Sequence, residues 1–233
     1  MEVELLQPWS TFVMKTKLPP LILEKMIKIT DEVVTNVESR KNFSWEDSGS
    51  GQMEDEFYVE LEILERENVM EFFLNVIQNF VEQQLLQSQH RPSERKKILN
   101  EEWYIQLITM WIISMKDTEY QPVHSHAGCH ISAVMYLKIP EYLPSRNPTQ
   151  NDDGAIGFLG HVARDPVWGP SSMTIHPEEG DFFIFPASQQ HFVYPFRTPD
   201  GKGERRSIAF NAQFTNKTEQ EYIKKQRENQ KTI

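Results

Sequence analysis

Residues 176–196, "HPEEGDFFIFPASQQHFVYPF", hold two short apolar runs around a small polar connection. "DFFIFP" (181–186) and "HFVYPF" (191–196) are rich in aromatic and β-branched residues. Both are too short for independent helices, and Gly, Pro and Asp bound them, so they read as strands. The same texture recurs from Trp103 onward, in "YIQLITMWIISM", "ISAVMYLKI", "GAIGFLG", "MTIH" and "RSIAFNAQF". Several short strands at this spacing predict a β-sandwich or barrel. The first hundred residues differ. Ile22, Met26, Ile29 and Val33 recur at helical spacing after a Pro-Pro start, predicting a helix over 20–37. Val69, Phe72, Phe73, Val76, Ile77, Phe80, Val81 and Leu85 predict an amphipathic helix that "HRPSERKK" ends. "EFYVELEILE" (56–65) alternates at Phe57, Val59, Leu61 and Ile63 and reads as a half-exposed strand; "SWEDSGSGQM" reads as a loop. The expected organisation is a helical support region over 1–100 packed on the core, a β core over 101–215 and a polar tail over 216–233. The class is α+β, mainly β.

The 233 residues include fourteen phenylalanines and five tryptophans, enough for a core and unlike a disordered chain. A net charge of −10 argues against non-specific nucleic-acid binding. The acids concentrate between Trp45 and Glu67, as a solvated face or a docking surface for a basic partner. Cys129 is the only cysteine, so no intramolecular disulfide forms, which suits a reducing cytoplasm. "MEVELLQPWSTF" lacks the charge and apolar pattern of a signal peptide. No apolar run approaches the roughly 20 residues of a membrane helix.

The candidate chemistry starts in "PVHSHAGCHISAVMYLKIP" (122–140). His124 and His126 are two apart, so on an extended segment both rings project to one side. Pro122 favours that extension by biasing Gln121 toward β geometry. Two such imidazoles either share a metal or face solvent at a strand entrance. Two ligands bind weakly, and His191, at the start of "HFVYPF", is the best further candidate downstream. His130 lies past the Ala127–Gly128 turn and is not expected to ligate. His90, His161 and His176 have no such grouping. In "RRSIAFN", Arg205 and Ser207 share one strand face, and Arg206 and Ile208 the other. A buried arginine needs an anion, either a ligand carboxylate or an acid of the protein. Tyr136 is either a donor to the same anion or a core aromatic.

Taken in order, these residues resemble the 2-oxoglutarate- and Fe(II)-dependent oxygenases, in particular their prolyl-hydroxylase-like branch. "HSH" stands where that superfamily has H-x-D/E. "HPEEGDFFIFP" is similar to the turn and strand before its distal histidine. "RRSIAFN" carries R-x-S, "ISAVMYLKIP" resembles the strand ending in Tyr-Leu, and "DDGAIGF" the Gly-containing strand after it. The likeness spans about Trp103 to Phe214 and is nearest to a group with H-x-H in the first motif.

The resemblance implies a double-stranded β-helix, or jelly roll, closing around the metal. It implies Fe(II) on His124, His191 and His126, with 2-oxoglutarate held at its far carboxylate by Arg205, Ser207 and Tyr136. It further implies molecular oxygen as co-substrate and hydroxylation of a C–H bond in a small molecule or peptide, with release of succinate and CO2. His126 occupies the position of a carboxylate. The alternatives are that Asp152 or Asp153 supplies an oxygen ligand, or that two histidines suffice. The loops "IPEYLPSRNPTQND" and "HVARDPVWGPSS", with Arg164 and Trp168, border the expected substrate mouth. The rival reading is a non-catalytic or 2-oxoglutarate-independent metal-binding jelly roll of the cupin kind.

Overall fold

The computed structural model describes residues 12–35, 53–88, 91–147, 149, 151–160 and 171–222. Four helices carry defined bounds: α1 (Pro20–Thr35), α2 (Leu61–Arg66), α3 (Met70–Ser88) and α4 (Pro92–Leu99). The strands are β1 (Met14–Lys17), β2 (Glu56–Tyr58), β3 (Trp103–Met115), β4 (Gln121–His124), β5 (Ile131–Lys138), β6 (Ile156–Leu159), β7 (Ser172–Ile175), β8 (Asp181–Pro186), β9 (His191–Val193) and β10 (Arg205–Asn216). Every apolar run from Trp103 onward forms a strand. They build two antiparallel sheets, ordered β1-β8-β5-β10-β3-β2 and β4-β9-β6-β7. This is the jelly roll expected. Among the described residues no helix is long and apolar enough to cross a membrane.

Strand alternation divides the larger sheet into two faces. Met110 and Ile112 of β3, Ala133 and Met135 of β5, Phe182 and Ile184 of β8, and Ile208 and Phe210 of β10 face the helices. There they meet Met26, Ile29 and Val33 of α1 and Phe73, Ile77 and Phe80 of α3. Phe73 sits at the centre, edge-on to Phe182 at 6.2 Å and Phe210 at 5.9 Å. The intervening residues, Trp111 and Ile113, Val134 and Tyr136, Phe183 and Phe185, and Ala209, turn to the smaller sheet. The helices therefore brace one face, and the other is left for a site between the sheets.

Arg206 joins the two layers. It is 3% exposed, gives Nε and Nη2 to Glu204 at 2.7 and 2.6 Å, and gives Nη1 to Asp31 of α1 at 2.6 Å. Lys138 meets the same Asp31 oxygen at 2.5 Å.

Three features depart from the sequence reading. The strand expected over 56–65 covers only Glu56–Tyr58, which pairs with β3, and 61–66 is helical. The apolar alternation there is genuine, but Leu61 and Leu64 also lie three apart, and the helix buries Leu64 completely. The first hundred residues also contribute a strand that was not expected: β1 forms the edge beyond β8, with Thr16 opposite Phe182. Lys15 and Lys17 of β1 both reach the buried Asp181, at 2.9 Å each. Beyond "HRP" a further helix, α4, begins with Pro92 in its first turn, where the missing N–H costs nothing. Residues 36–37 of the first expected helix, 44–52 of the expected loop, His90, His161, Arg164, Trp168 and residues 223–233 lie outside the described residues.

Candidate metal and cosubstrate site

β4 and β9 are neighbours in the smaller sheet, and their register sets His124 directly opposite His191. Their ring centroids are 4.2 Å apart. His126 follows two residues beyond β4, where its backbone N–H donates to the Ala187 carbonyl at 2.9 Å. Its ring stacks on His191 at 5.2 Å and lies 5.3 Å from His124. One nitrogen from each ring falls within 4.8 Å of the others. Two rings are oriented from behind: His124 Nδ1 lies 2.8 Å from the Pro122 carbonyl, and His191 Nδ1 2.9 Å from that of Gln189. A carbonyl only accepts, so each Nδ1 carries the proton and each Nε2 keeps its lone pair.

The electrostatics keep the rings neutral. Burial pushes His191 down to about 3, with His124 adding to the effect. Burial pushes His126 down to about 4, again with His124 adding. His124 is also lowered by burial, against a smaller opposing effect of its bond to Pro122. Neutral imidazole is the ligating form.

The other expected groups line the same pocket. Ser207 of β10 pairs with Tyr136 of β5, and Arg205 lies two residues along the same face. Arg205 is 1% exposed. Its Nη1 donates to the Gly154 carbonyl at 2.7 Å, its guanidinium sits 5.3 Å from the Tyr136 ring centre, and its Nε has no hydrogen-bond partner. The Tyr136 hydroxyl is buried and also lacks a partner. Burial pushes its pKa up to about 12 although Arg205 opposes the shift, so the phenol stays a donor.

The remaining candidates separate cleanly. His130 is occupied elsewhere, its Nδ1 accepting the Phe214 N–H at 3.3 Å and its ring 5.0 Å from Phe214. His176 is exposed and stands apart from the three imidazoles. Asp153 lies 3.9 Å from Arg197. No carboxylate among the described residues joins the three imidazoles.

Two pocket-lining residues and a neighbouring tyrosine escaped the sequence reading. Trp111 lies 5.8 Å from His126, and Gln121 lines the pocket. Tyr142, in the loop after β5, packs on Phe196 at 5.0 Å and against Gly154. Nothing periodic marks a loop tyrosine, although "DDGAIGF" did single out the segment that supplies the Gly154 carbonyl.

The donor set fits the groups that the resemblance implies. Three imidazoles suit Fe(II) and related transition metals better than Mg2+ or Ca2+. A buried guanidinium and phenol with unpartnered polar atoms suit a carboxylate.

Residues 109–211 match the family model described as "Putative 2OG-Fe(II) oxygenase", where 2OG is 2-oxoglutarate. Over those residues the chain is similar to the 2-oxoglutarate- and Fe(II)-dependent oxygenases, a class whose cofactors are Fe(II) and 2-oxoglutarate. Among solved structures, HygX from Streptomyces hygroscopicus with nickel, 2-oxoglutarate and hygromycin B bound is similar in fold, at a TM-score of 0.51 and 12% identity over 87% of this chain and 83% of that one. A prolyl hydroxylase from Trichoplax adhaerens, in complex with a hypoxia inducible factor oxygen degradation domain peptide fragment, aligns at 0.49 and 12% over 86% and 82%. An oxidoreductase of the 2OG-Fe(II) oxygenase family from Burkholderia pseudomallei aligns at 0.35 and 16%, over 52% of this chain and only 53% of that one. At those lower scores the last two bear no weight for the fold. No curated protein sequence matches the chain.

Proposed function

We propose that this protein hydroxylates a C–H bond of a small molecule or peptide, coupled to conversion of 2-oxoglutarate to succinate and CO2. The observation that carries the reading is Arg205, buried with an unpartnered Nε in the lining of a pocket that also holds three converging imidazoles.

In this reading His124, His126 and His191 hold Fe(II) through the nitrogens that face one another. Pro122 and Gln189 fix the tautomers of His124 and His191, so neither ring must reorient before it ligates. Arg205 takes the far carboxylate of 2-oxoglutarate through charge-assisted hydrogen bonds, and Ser207 and Tyr136 donate from the adjacent strand face. Ile113, Ile156, Phe185 and Val193 give the same pocket apolar walls. Fe(II) and 2-oxoglutarate, when bound, supply the activation of molecular oxygen. Three neutral imidazoles leave the metal's charge uncompensated by the protein, unlike the usual set of two histidines and a carboxylate. The cosubstrate's carboxylates then supply the negative charge.

The small-molecule class is suggested by the hygromycin B bound to HygX, and the peptide class by the resemblance of the motifs to the prolyl-hydroxylase-like branch. A reducing, cytoplasmic setting suits both Fe(II) and the free thiol of Cys129. The helices over 1–100 act as the support of the core, and 216–233 as a polar extension.

Succinate release measured against peptide, amino-acid and nucleoside pools tests the activity. Arg205→Ala should abolish 2-oxoglutarate turnover while Fe(II) still binds. Unchanged turnover in that variant would overturn the cosubstrate assignment and favour a metal-binding jelly roll without this chemistry.

A further inference from the structure

An irregularity in β4 brings a further polar side chain into the pocket. Gln121 stands opposite Val193 and His124 opposite His191, so three steps along β4 match two along β9. In a regular strand, residues three apart point to opposite faces; the extra residue returns both to one face. Gln121 and His124 accordingly both line the pocket, whereas Pro122 and Val123 between them are exposed. Gln121 is 9% exposed, and its side-chain amide makes no hydrogen bond to another described residue.

The pairing fixes its level in the smaller sheet. Val193 also pairs with Ile156 of β6, and the ladder continues through the Tyr194 N–H to Ala155 and the Gly154 N–H to Pro195. From the level of Gln121, His191 lies two residues to one side. Gly154, whose carbonyl accepts from Arg205, lies two residues to the other. Each interval is roughly 7 Å at the usual strand rise. Gln121 therefore stands midway between the imidazoles and the contact that holds Arg205, and a ligand spanning the two passes it.

Hydrogen-bond donors are unevenly placed along that path. The far carboxylate of 2-oxoglutarate has Arg205, Ser207 and Tyr136. At the metal end, His124 and His191 turn their Nδ1–H groups away to Pro122 and Gln189. Of the lining residues in the smaller sheet, Gln121 is the polar one besides the histidines; Ile156 and Val193 are apolar. An enclosed carboxylate oxygen without a donor is costly. A primary amide supplies two N–H groups, and no internal bond holds this one turned away.

We propose that Gln121 is a cosubstrate-binding residue, its Nε2 donating to the metal-side carboxylate of 2-oxoglutarate. This rests on the cosubstrate reading above and adds a contact at the end of the molecule opposite Arg205.

The test is calorimetric titration of Mn(II)-loaded protein with 2-oxoglutarate, and with 2-oxobutyrate, which keeps the metal-side carboxylate and lacks the far one. Gln121→Leu removes the donor. It should weaken both oxo acids by the same factor, at least about tenfold, the worth of a hydrogen bond to a charged acceptor. Its Mn(II) affinity and melting temperature should not move. Gln121→Glu sets a carboxylate where the donor was and should weaken both acids further at pH 8. A loss for 2-oxoglutarate alone, no loss for either acid, or an equal loss of Mn(II) affinity in Gln121→Leu would overturn the assignment. So would a Gln121→Glu variant that binds both acids as tightly as the unaltered protein. Arg205→Ala separates the two levels, since it should weaken 2-oxoglutarate and spare 2-oxobutyrate. If it spares both, the cosubstrate reading itself fails. If it behaves as expected while Gln121→Leu changes nothing, only the role of Gln121 fails.

Discussion

Arg206 of β10 and Asp31 of α1 meet at 2.6 Å, across 175 positions of sequence, and so fasten the first helix to the strand that carries Arg205. Asp31 is partly exposed, whereas Arg206 is enclosed. Removing the arginine discards bonds to Glu204, Asp31 and Thr30 together. Arg206→Ala should cost about 3 kcal/mol, and Asp31→Asn about 1 kcal/mol, because water can replace part of the latter contact. Urea denaturation of the two variants checks the order. Equal and negligible losses would mean that the helix is held by its apolar face alone.

His126 takes the place where a carboxylate is usual, so a pair of substitutions is informative. His126→Ala should weaken Fe(II) by at least about tenfold, the loss that an outer-shell partner alone already causes. His126→Asp should retain the metal. If alanine leaves affinity and turnover unchanged, the ring stands beside the site without serving it.

Glu56 is a buried acid, and its pKa is pushed up to about 7, first by burial and then by Glu119. Below about pH 4.5 it is protonated folded or unfolded and has no effect. Between pH 4.5 and about 7 the unfolded chain releases the proton while the folded chain keeps it, so stability falls as pH rises. Above that window the penalty is complete. Glu56→Gln should therefore stabilise the protein at pH 8, by at most on the order of 2–3 kcal/mol, and leave it unchanged near pH 4. Melting curves at the two pH values decide. An equal effect at both would place its origin in packing rather than charge.

Phe73 is fully buried where α3 meets β8 and β10. Phe73→Ala should cost about 3–5 kcal/mol through the lost contacts and the cavity left behind. A loss below about 1 kcal/mol in a denaturation series would show that α3 packs loosely.

The strands after Trp103 were legible because each is short, apolar and punctuated, and because the two faces of β10 alternate without interruption through Arg205, Arg206, Ser207 and Ile208. His124 and His126 were legible from spacing, and His191 from its place at the head of a strand. What stayed hidden depends on contacts distant in sequence. β1 is a strand only because β8 offers it an open edge, and its four residues carry no apolar alternation. Leu61 and Ile63 fit a strand pattern that burial of Leu64 overrules. Tyr142 is brought to Phe196 and Gly154 by a loop, and loops leave no period to read.

β10 lies between β3 and β5, with backbone pairing along both edges. Its amides are therefore among the most shielded from solvent, and deuterium should enter them only when the sheet as a whole opens. Arg205 and Ser207 sit on this slowest-exchanging strand, whereas His124 sits on β4 at the margin of the smaller sheet. Local opening will thus reach the imidazole half first. As the protein begins to melt, isotope labelling should find the guanidinium anchor still in place after the histidines have separated.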